Sequence, residues 1–180
     1  MKKLIDVLTE ATGQTFDYGC VMLYFSFPEI NKIHDIINPK DIYTEEGDRS
    51  FGLEDEPHTT LLFGLHEGVT TQDVQSVLDK FKYGTCTIGN ASLFENEDYD
   101  VLKFDVRGKN LHETNKLLKE FPYTNSFPNY HPHLTIGYLI PGTGKKYTKD
   151  LSGVQFSLTP EYAVYSKPNG EKVKIKINVD

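Results

Sequence analysis

The chain is poor in cysteine, in long apolar runs and in clustered positive charge, and each shortage removes a class of protein. Only Cys20 and Cys86 occur in 180 residues. Both fall in segments that read as strands, so two buried thiols in a reducing compartment fit better than a disulfide framework. No apolar stretch approaches ~18 residues, which leaves no candidate for a membrane-spanning helix. Met1-Lys-Lys-Leu-Ile begins like a secretory leader, but acidic Asp6 interrupts it, and Met1 to Glu10 reads as a short amphipathic helix. Cytoplasmic residence is the expectation. With 26 acidic against 19 basic residues the net charge is −7, which repels a long duplex nucleic acid. Lys167, Lys172, Lys174 and Lys176 form the one basic cluster. It reads as a solvated edge strand, with steering of a substrate phosphate as the sharper alternative. No segment is a low-complexity linker, and 1–180 is expected to form one domain with two similar halves.

Two short segments carry the chemistry. His58-Thr59-Thr60 opens the apolar run His58–Leu65, and His133-Leu134-Thr135 opens His133–Leu139. In a strand, residues i and i+2 point to one face, so each segment presents an imidazole beside a hydroxyl. If the two strands are neighbours, two imidazoles and two hydroxyls line one cleft. That set can split a phosphodiester with one base, one acid and two donors for phosphate oxygens. An unperturbed histidine titrates near ~6.5, so neutral and protonated rings coexist near neutrality. The sequence assigns neither histidine to base or acid. His112-Glu113-Thr114 also matches H-x-T, but it lies where Leu111, Leu117, Leu118 and Phe121 recur at helical spacing. On a helix, i and i+2 do not face each other, so this match reads as a solvated first turn with Asn110 as N-cap. His66 reads as solvated, and His34 as covering the edge of the core. His131 stands two residues before His133, yet no third ligand has suitable spacing and zinc wants three or four. No metal and no cofactor are expected.

Along the chain, Gly19–Phe27 reads as a buried strand and Pro28-Glu29 opens a helix carrying Ile30, Ile33, Ile36 and Ile37 that stops before Pro39. Asp41 to Glu56 reads as a long polar loop. Thr70 or Thr71 caps a helix with Val74, Val77, Leu78 and Phe81 inside. Strands follow near Thr85–Phe94 and Tyr99–Arg107, then the helix from Leu111 and the proline-rich approach Phe127-Pro-Asn-Tyr-His-Pro-His133. The tail reads as strands at Val154–Leu158, Glu161–Ser166 and Lys172–Val179, with a turn at Lys167-Pro-Asn-Gly170. Each half runs from a helix into an H-x-T strand, 75 residues apart. The expected fold is α+β: a sheet of mixed direction with helices on its outside.

Two H-x-T strands, one per half of an α+β chain of this size, resemble the 2H phosphoesterase superfamily over about Gly19 to Val179. That superfamily includes ligase-like 2′,5′-RNA phosphodiesterases, cyclic nucleotide phosphodiesterases and phage anti-CBASS nucleases. The resemblance implies two lobes of mixed and antiparallel sheets around a central cleft with helices outside, and a metal-independent phosphodiesterase with His58, Thr60, His133 and Thr135 as the catalytic set. Leu61 and Ile136 fit the apolar position after the threonine. Thr59 departs from the pattern, being polar where the family often has an apolar residue. Compact size, acidic charge, the aromatic first strand and the segment Pro160–Lys167 look most like the anti-CBASS nucleases. That branch implies cyclic di- or trinucleotide signals of bacterial antiviral defence as substrate, in the host cytoplasm if the chain is phage-encoded. It further implies stacking of bases on Tyr24 and Tyr165, with Glu161 reading a base edge. Two other readings stay open. One is action on 2′,5′-linked RNA or cyclic-phosphate ends. The other is a non-catalytic protein that sequesters nucleotides, which has no need of both histidines. The oligomeric state is open.

Overall fold

A computed structural model describes residues 16–180; the helix expected over Met1 to Glu10 lies outside the described residues. The described residues form ten strands and four α-helices. Strands β1 (Gly19–Phe25), β2 (His58–Leu65), β4 (Cys86–Glu95), β5 (Asp100–Arg107), β6 (His133–Leu139), β7 (Gln155–Leu158), β8 (Pro160–Ser166) and β9 (Lys172–Ile175) form one sheet. Its order is β7-β4-β5-β6-β2-β1-β8-β9, and every neighbouring pair is antiparallel. The two short strands β3 (Lys82–Tyr83) and β10 (Asn178–Val179) pair in parallel on their own. Helices α1 (Ile30–Asp35), α2 (Thr71–Leu78) and α3 (Leu111–Leu118) send Ile30, Ile33, Val74, Val77, Leu78, Leu111 and Leu118 into the core shared with Val21, Leu23, Leu61, Leu102 and Phe104. The fourth helix, α4 (Lys145–Asp150), was not evident from the sequence because it carries four charges in six residues. Tyr147 is its buried anchor, donating its hydroxyl proton to Asp41 and accepting from the Asn38 backbone, and Lys146 pairs with the same Asp41 at 2.6 Å.

The sheet is nearly two sheets. β2 and β6 meet at a single ladder pair, Thr59 with Leu134, and then part. The edge that β6 loses is covered by the long 42–54 loop: Glu54 N–H donates to Ile136 O, Tyr43 N–H to Tyr138 O, and Tyr138 N–H to Gly52 O. Tyr43, Phe51, Tyr99 and Tyr138 pack ring on ring to hold this loop down, with centroids 5.1–5.4 Å apart. The edge of β2 is covered from the other side. Asn115 of α3 donates its amide to Leu61 O at 2.7 Å, and Thr124 N–H donates to Gly64 O. Gly64 sits at φ +115°, where a Cβ would lie 2.1 Å from Thr124 O, so only glycine permits this approach. Each half-sheet thus has four strands, with its motif strand innermost. The helices cross the seam: α1, which follows β1, packs on β6, and α3, which follows β5, packs on β2.

Several details differ from the sequence reading. The tail strand expected over Lys172–Val179 breaks after Ile175, and its last residues leave to pair with β3. Asn110 stands at the N-cap of α3 in the left-handed region, at φ 69°, without capping through its side chain. Its amide donates instead to Lys82 O. Thr114 is buried rather than solvated, donating to Asn110 O and bonded to the Tyr83 hydroxyl. His34 does edge the core: it lies half-buried on α1, with Nε2 donating to Ile136 O at 3.0 Å. Both cysteines are buried and unpaired.

Thr59 itself faces the core between Leu23 and Leu134, fully buried, and its hydroxyl has no hydrogen-bond partner among the described residues. A buried hydroxyl without a partner costs about 1–3 kcal/mol. Thr59→Val keeps the shape and removes the hydroxyl. We expect its melting temperature to rise by a few degrees, at ~2–4 °C per kcal/mol for a chain of this size. A fall on thermal scanning would contradict the assignment.

Candidate active site

The seam pair sets the site. Antiparallel pairing of Thr59 with Leu134 turns both of those side chains to the core. Their neighbours therefore turn the other way, and His58, Thr60, His133 and Thr135 are all half-buried on the opposite face. The register sets His58 alongside Thr135 and Thr60 alongside His133. The histidines occupy diagonal positions, for which Cα atoms lie roughly 7–8 Å apart, a span that one phosphate and its substituents bridge.

Each half-site is built in the same way. Pro57 precedes His58, and Pro132 precedes His133. Proline holds the chain extended as it enters the strand. The Pro57 carbonyl accepts from Phe25 N–H of β1, and the Pro132 carbonyl from Val106 N–H of β5, both at 3.0 Å. In each half the carbonyl two residues back then meets the imidazole. His58 Nδ1 lies 2.9 Å from Glu56 O, and His133 Nδ1 lies 2.9 Å from His131 O. A carbonyl can only accept, so Nδ1 carries the proton and in the neutral ring Nε2 is the nitrogen with the open lone pair. The shared tetrapeptide Pro-His-x-Thr was there to be read in the sequence; the proline is the part that aims the ring.

The neighbours of the two half-sites are not alike. Across from His58 and Thr60 stand Tyr24 and Met22 of β1. Across from His133 and Thr135 stand Asp105 and Lys103 of β5. Tyr24 stacks on His58 (5.1 Å, 26°) and on Tyr162 (5.4 Å, 4°), and the Lys174 ammonium lies 4.1 Å from the centre of the Tyr162 ring. On the other side Phe94 meets His133 edge-on at 5.1 Å, and the Lys103 ammonium lies 4.4 Å from the centre of the Phe94 ring. Lys103 also donates to Ser92 Oγ at 2.8 Å and to Asp105 Oδ1 at 3.3 Å. Burial pushes the thiol of Cys20, in the cluster with Met22 and Tyr24, up to about 12, so the sulfur stays protonated. A cavity of about 320 Å³ opens beside His58, lined by Tyr24, Tyr162, Phe25, Pro28, Asp55 and Glu56. That volume is at the low end for ligand pockets.

Three residues expected to hold the substrate's bases are placed otherwise. Tyr24 lies on the site face but is 4% exposed, its ring enclosed between His58 and Tyr162. It lines the cavity, but its stacking on His58 and Tyr162 leaves little ring surface open to a base. Tyr165 lies on the core face, fully buried, with its hydroxyl donating to Val69 O. The alternation of β8 decides this, because Tyr162 and Val164 take the site face. Glu161 is exposed at the irregular start of β8 and does not line the cavity. Sequence reading missed Tyr162, Phe94 and Lys103. Phe94, 41% exposed, is the open aromatic surface at the pair. His66 is exposed and bonded to Thr124, as a solvated residue would be. Among the described residues no three His, Cys, Asp or Glu side chains come together in a metal-binding arrangement, and no helix is long and apolar enough to cross a membrane.

The fold resembles that of a structure of Kluyveromyces marxianus Usb1 with uridine monophosphate, at TM-score 0.53 and 10% identity over 89% of this chain and 98% of that one. A crystal structure of a phosphoesterase aligns at TM-score 0.46 and 16% identity, over 88% of this chain and 95% of that one. At 10% identity the likeness to the first is one of fold alone: α+β, with strands in two lobes and helices outside. No protein-family model matches this sequence, and neither does any curated protein.

Burial is the main cause holding both imidazoles below their ordinary value, with Lys172 adding to it at His58, and Lys103 and His58 adding to it at His133. A lowered pKa means that the proton is lost at lower pH. A site needing one protonated and one neutral ring is then most populated on the acid side of ~6.5. For cleavage of a phosphodiester, kcat/KM should peak below that value and fall through neutrality, while the alkaline limb of kcat lies higher because bound phosphate favours the protonated ring. An alkaline limb of kcat/KM near pH 8 would contradict this.

Proposed function

We propose that this chain is a metal-independent phosphodiesterase of the 2H type, acting on a small nucleotide substrate. One observation carries the reading: two Pro-His-x-Thr half-sites on one sheet face, each with Nδ1 tied to the backbone two residues back. In the mechanism, Nε2 of one histidine takes the proton of the attacking hydroxyl. The oxygen–phosphorus bond forms as the bond to the leaving oxygen breaks, and Nε2 of the other histidine protonates that oxygen. Thr60 and Thr135 hold the non-bridging oxygens as charge develops. A ribose 2′-hydroxyl as nucleophile yields a 2′,3′-cyclic phosphate, and water yields a monoester. Replacing either His58 or His133 by alanine should lower kcat by roughly 10²–10⁴ with the melting temperature little changed. A His133→Ala variant with normal turnover would remove the mechanism.

Within that class we favour cyclic di- or trinucleotides, the signals of CBASS antiviral defence, as substrate. The chain is acidic and its cleft carries single lysines rather than a basic groove, which suits a compact anion better than an extended backbone. The fold likeness to a Usb1 structure with uridine monophosphate favours a second reading, cleavage of RNA or 2′,5′-linked oligonucleotides. Competition decides between them. A cyclic dinucleotide or trinucleotide and a linear 2′,5′-oligoadenylate are supplied at equal concentration in excess EDTA, and products are followed over many turnovers. We expect the cyclic substrate to be consumed first, with chelation having no effect. Preferential loss of the linear substrate would install the second reading, and binding without turnover would make the chain a nucleotide-sequestering protein.

A further inference from the structure

Lys103 is a charged residue in a place where its symmetry mate is apolar. Both motif threonines have one cross-strand neighbour on the outer side of the motif strand. Thr60 faces Met22, which faces Val164; Thr135 faces Lys103, which faces Ser92. The first row is uncharged and closes as a small apolar cluster of Cys20, Met22, Tyr24 and Val164. The position therefore does not require an ammonium for the strand to form. Yet the Lys103 side chain is only 7% exposed, and burying a charge is costly unless something answers it. Its neighbours answer it in part. Ser92 supplies a neutral hydroxyl, Oδ1 of the 38% exposed Asp105 carboxylate is 3.3 Å away while its Oδ2 accepts from Asn90, and the face of the Phe94 ring lies 4.4 Å off. An ammonium has three protons, and those two acceptors use two.

We propose that Lys103 is a catalytic residue that holds the phosphoryl oxygen of the substrate together with the Thr135 hydroxyl. The inference rests on the paired-histidine reading and adds to it a fixed positive charge on one side of the cleft. The charge that builds on the non-bridging oxygens is then met on the β5 side by Lys103 and Thr135, and on the β1 side by Thr60 alone. Phe94, lying between Lys103 and His133, keeps water off the ammonium and holds the imidazole at an angle to it. This arrangement orients the phosphodiester with its anionic oxygen toward β5, which is what a site with two equivalent half-sites needs in order to choose one direction of attack.

The test uses the full chain and inorganic phosphate as probe, followed through the imidazole resonances of His58 and His133, alongside turnover of a cyclic dinucleotide. Lys103→Met installs the residue found in the other half-site, Lys103→Gln keeps a donor for Ser92, and Lys103→Arg keeps the charge. We expect Met and Gln to weaken phosphate binding tenfold or more and to lower kcat by roughly 10²–10³, with Arg recovering most of both. The melting temperature of Lys103→Met should stay level or rise, and the His133 titration should move up as the neighbouring charge is lost, which a purely structural lysine would not produce. Wild-type phosphate binding and turnover in Lys103→Met would overturn the inference while leaving the paired histidines standing. Loss of the fold in both Met and Gln would also overturn it, making Lys103 structural. A wild-type chain that neither binds phosphate nor turns over would end both proposals.

Discussion

One ladder pair, Thr59 with Leu134, governs the molecule. It is the only place where the two half-sheets are joined by strand pairing among the described residues. Because strand side chains alternate, fixing these two toward the core fixes four others toward the opposite face. A slip of one residue at this point would send His58 and Thr60, or His133 and Thr135, into the interior. The protein spends a good deal of structure on holding that register with so little pairing. Buried carbonyls exposed by the parting strands each cost about 1–3 kcal/mol if left bare. Asn115, His34 and the 42–54 loop meet those at Leu61 and Ile136. The crossing of α1 and α3 over the seam follows from the same need, since each helix delivers a donor to the motif strand of the other half.

Opening the seam also shapes the face that carries the site. A continuous β2–β6 ladder would lay the two H-x-T pairs on a flat surface. Here the strands diverge beyond the pair, and the aromatic cluster of Tyr43, Phe51, Tyr99 and Tyr138 pins the loop that fills the gap. The half-sites then differ in what β1 and β5 bring to them, and beyond those in Tyr162 of β8 on one side and Phe94 of β4 on the other. β1 brings Tyr24 and Met22, and the ring of Tyr24 locks one imidazole by stacking, worth about 0.5–1.5 kcal/mol beyond its buried area. β5 brings Asp105 and Lys103, and so places charge beside the other imidazole. A duplicated scaffold with unlike neighbours gives two chemically identical side chains different surroundings, which is the usual way that one site runs acid and base chemistry together.

The elements that were legible in the sequence are those with a strong period or a clear breaker. β1, β2, β5 and β6 show as apolar or alternating runs, α2 shows its Thr70 cap with Asp73 completing the box, and the third H-x-T match falls on a helix as its spacing required. Illegible elements depend on partners remote in sequence. α4 has no apolar face to announce it and is held by a tyrosine reaching Asp41. β10 exists because β3 lies beside it, nearly a hundred residues away. The loop at 42–54 looks polar and unstructured in sequence, and becomes a substitute strand edge only because β6 lacks a neighbour there.

By itself the sequence determined which four residues could form the reactive set, since i and i+2 on a strand share a face whatever the rest of the fold does, and the prolines before both histidines dictate the same ring geometry twice. Whether the two strands would be neighbours, and in what register, was decided by the tertiary structure, because strand order is not written in local periodicity. The same holds for the surroundings. Tyr24 and Tyr165 are equally plausible stacking residues on paper, but sheet order encloses the first between His58 and Tyr162, and sheet face sends the second into the core. Lys103 reads as an ordinary lysine in an alternating strand until β6 is laid against β5. Cross-strand neighbours come from parts of the chain tens of residues apart, and packing alone chooses them.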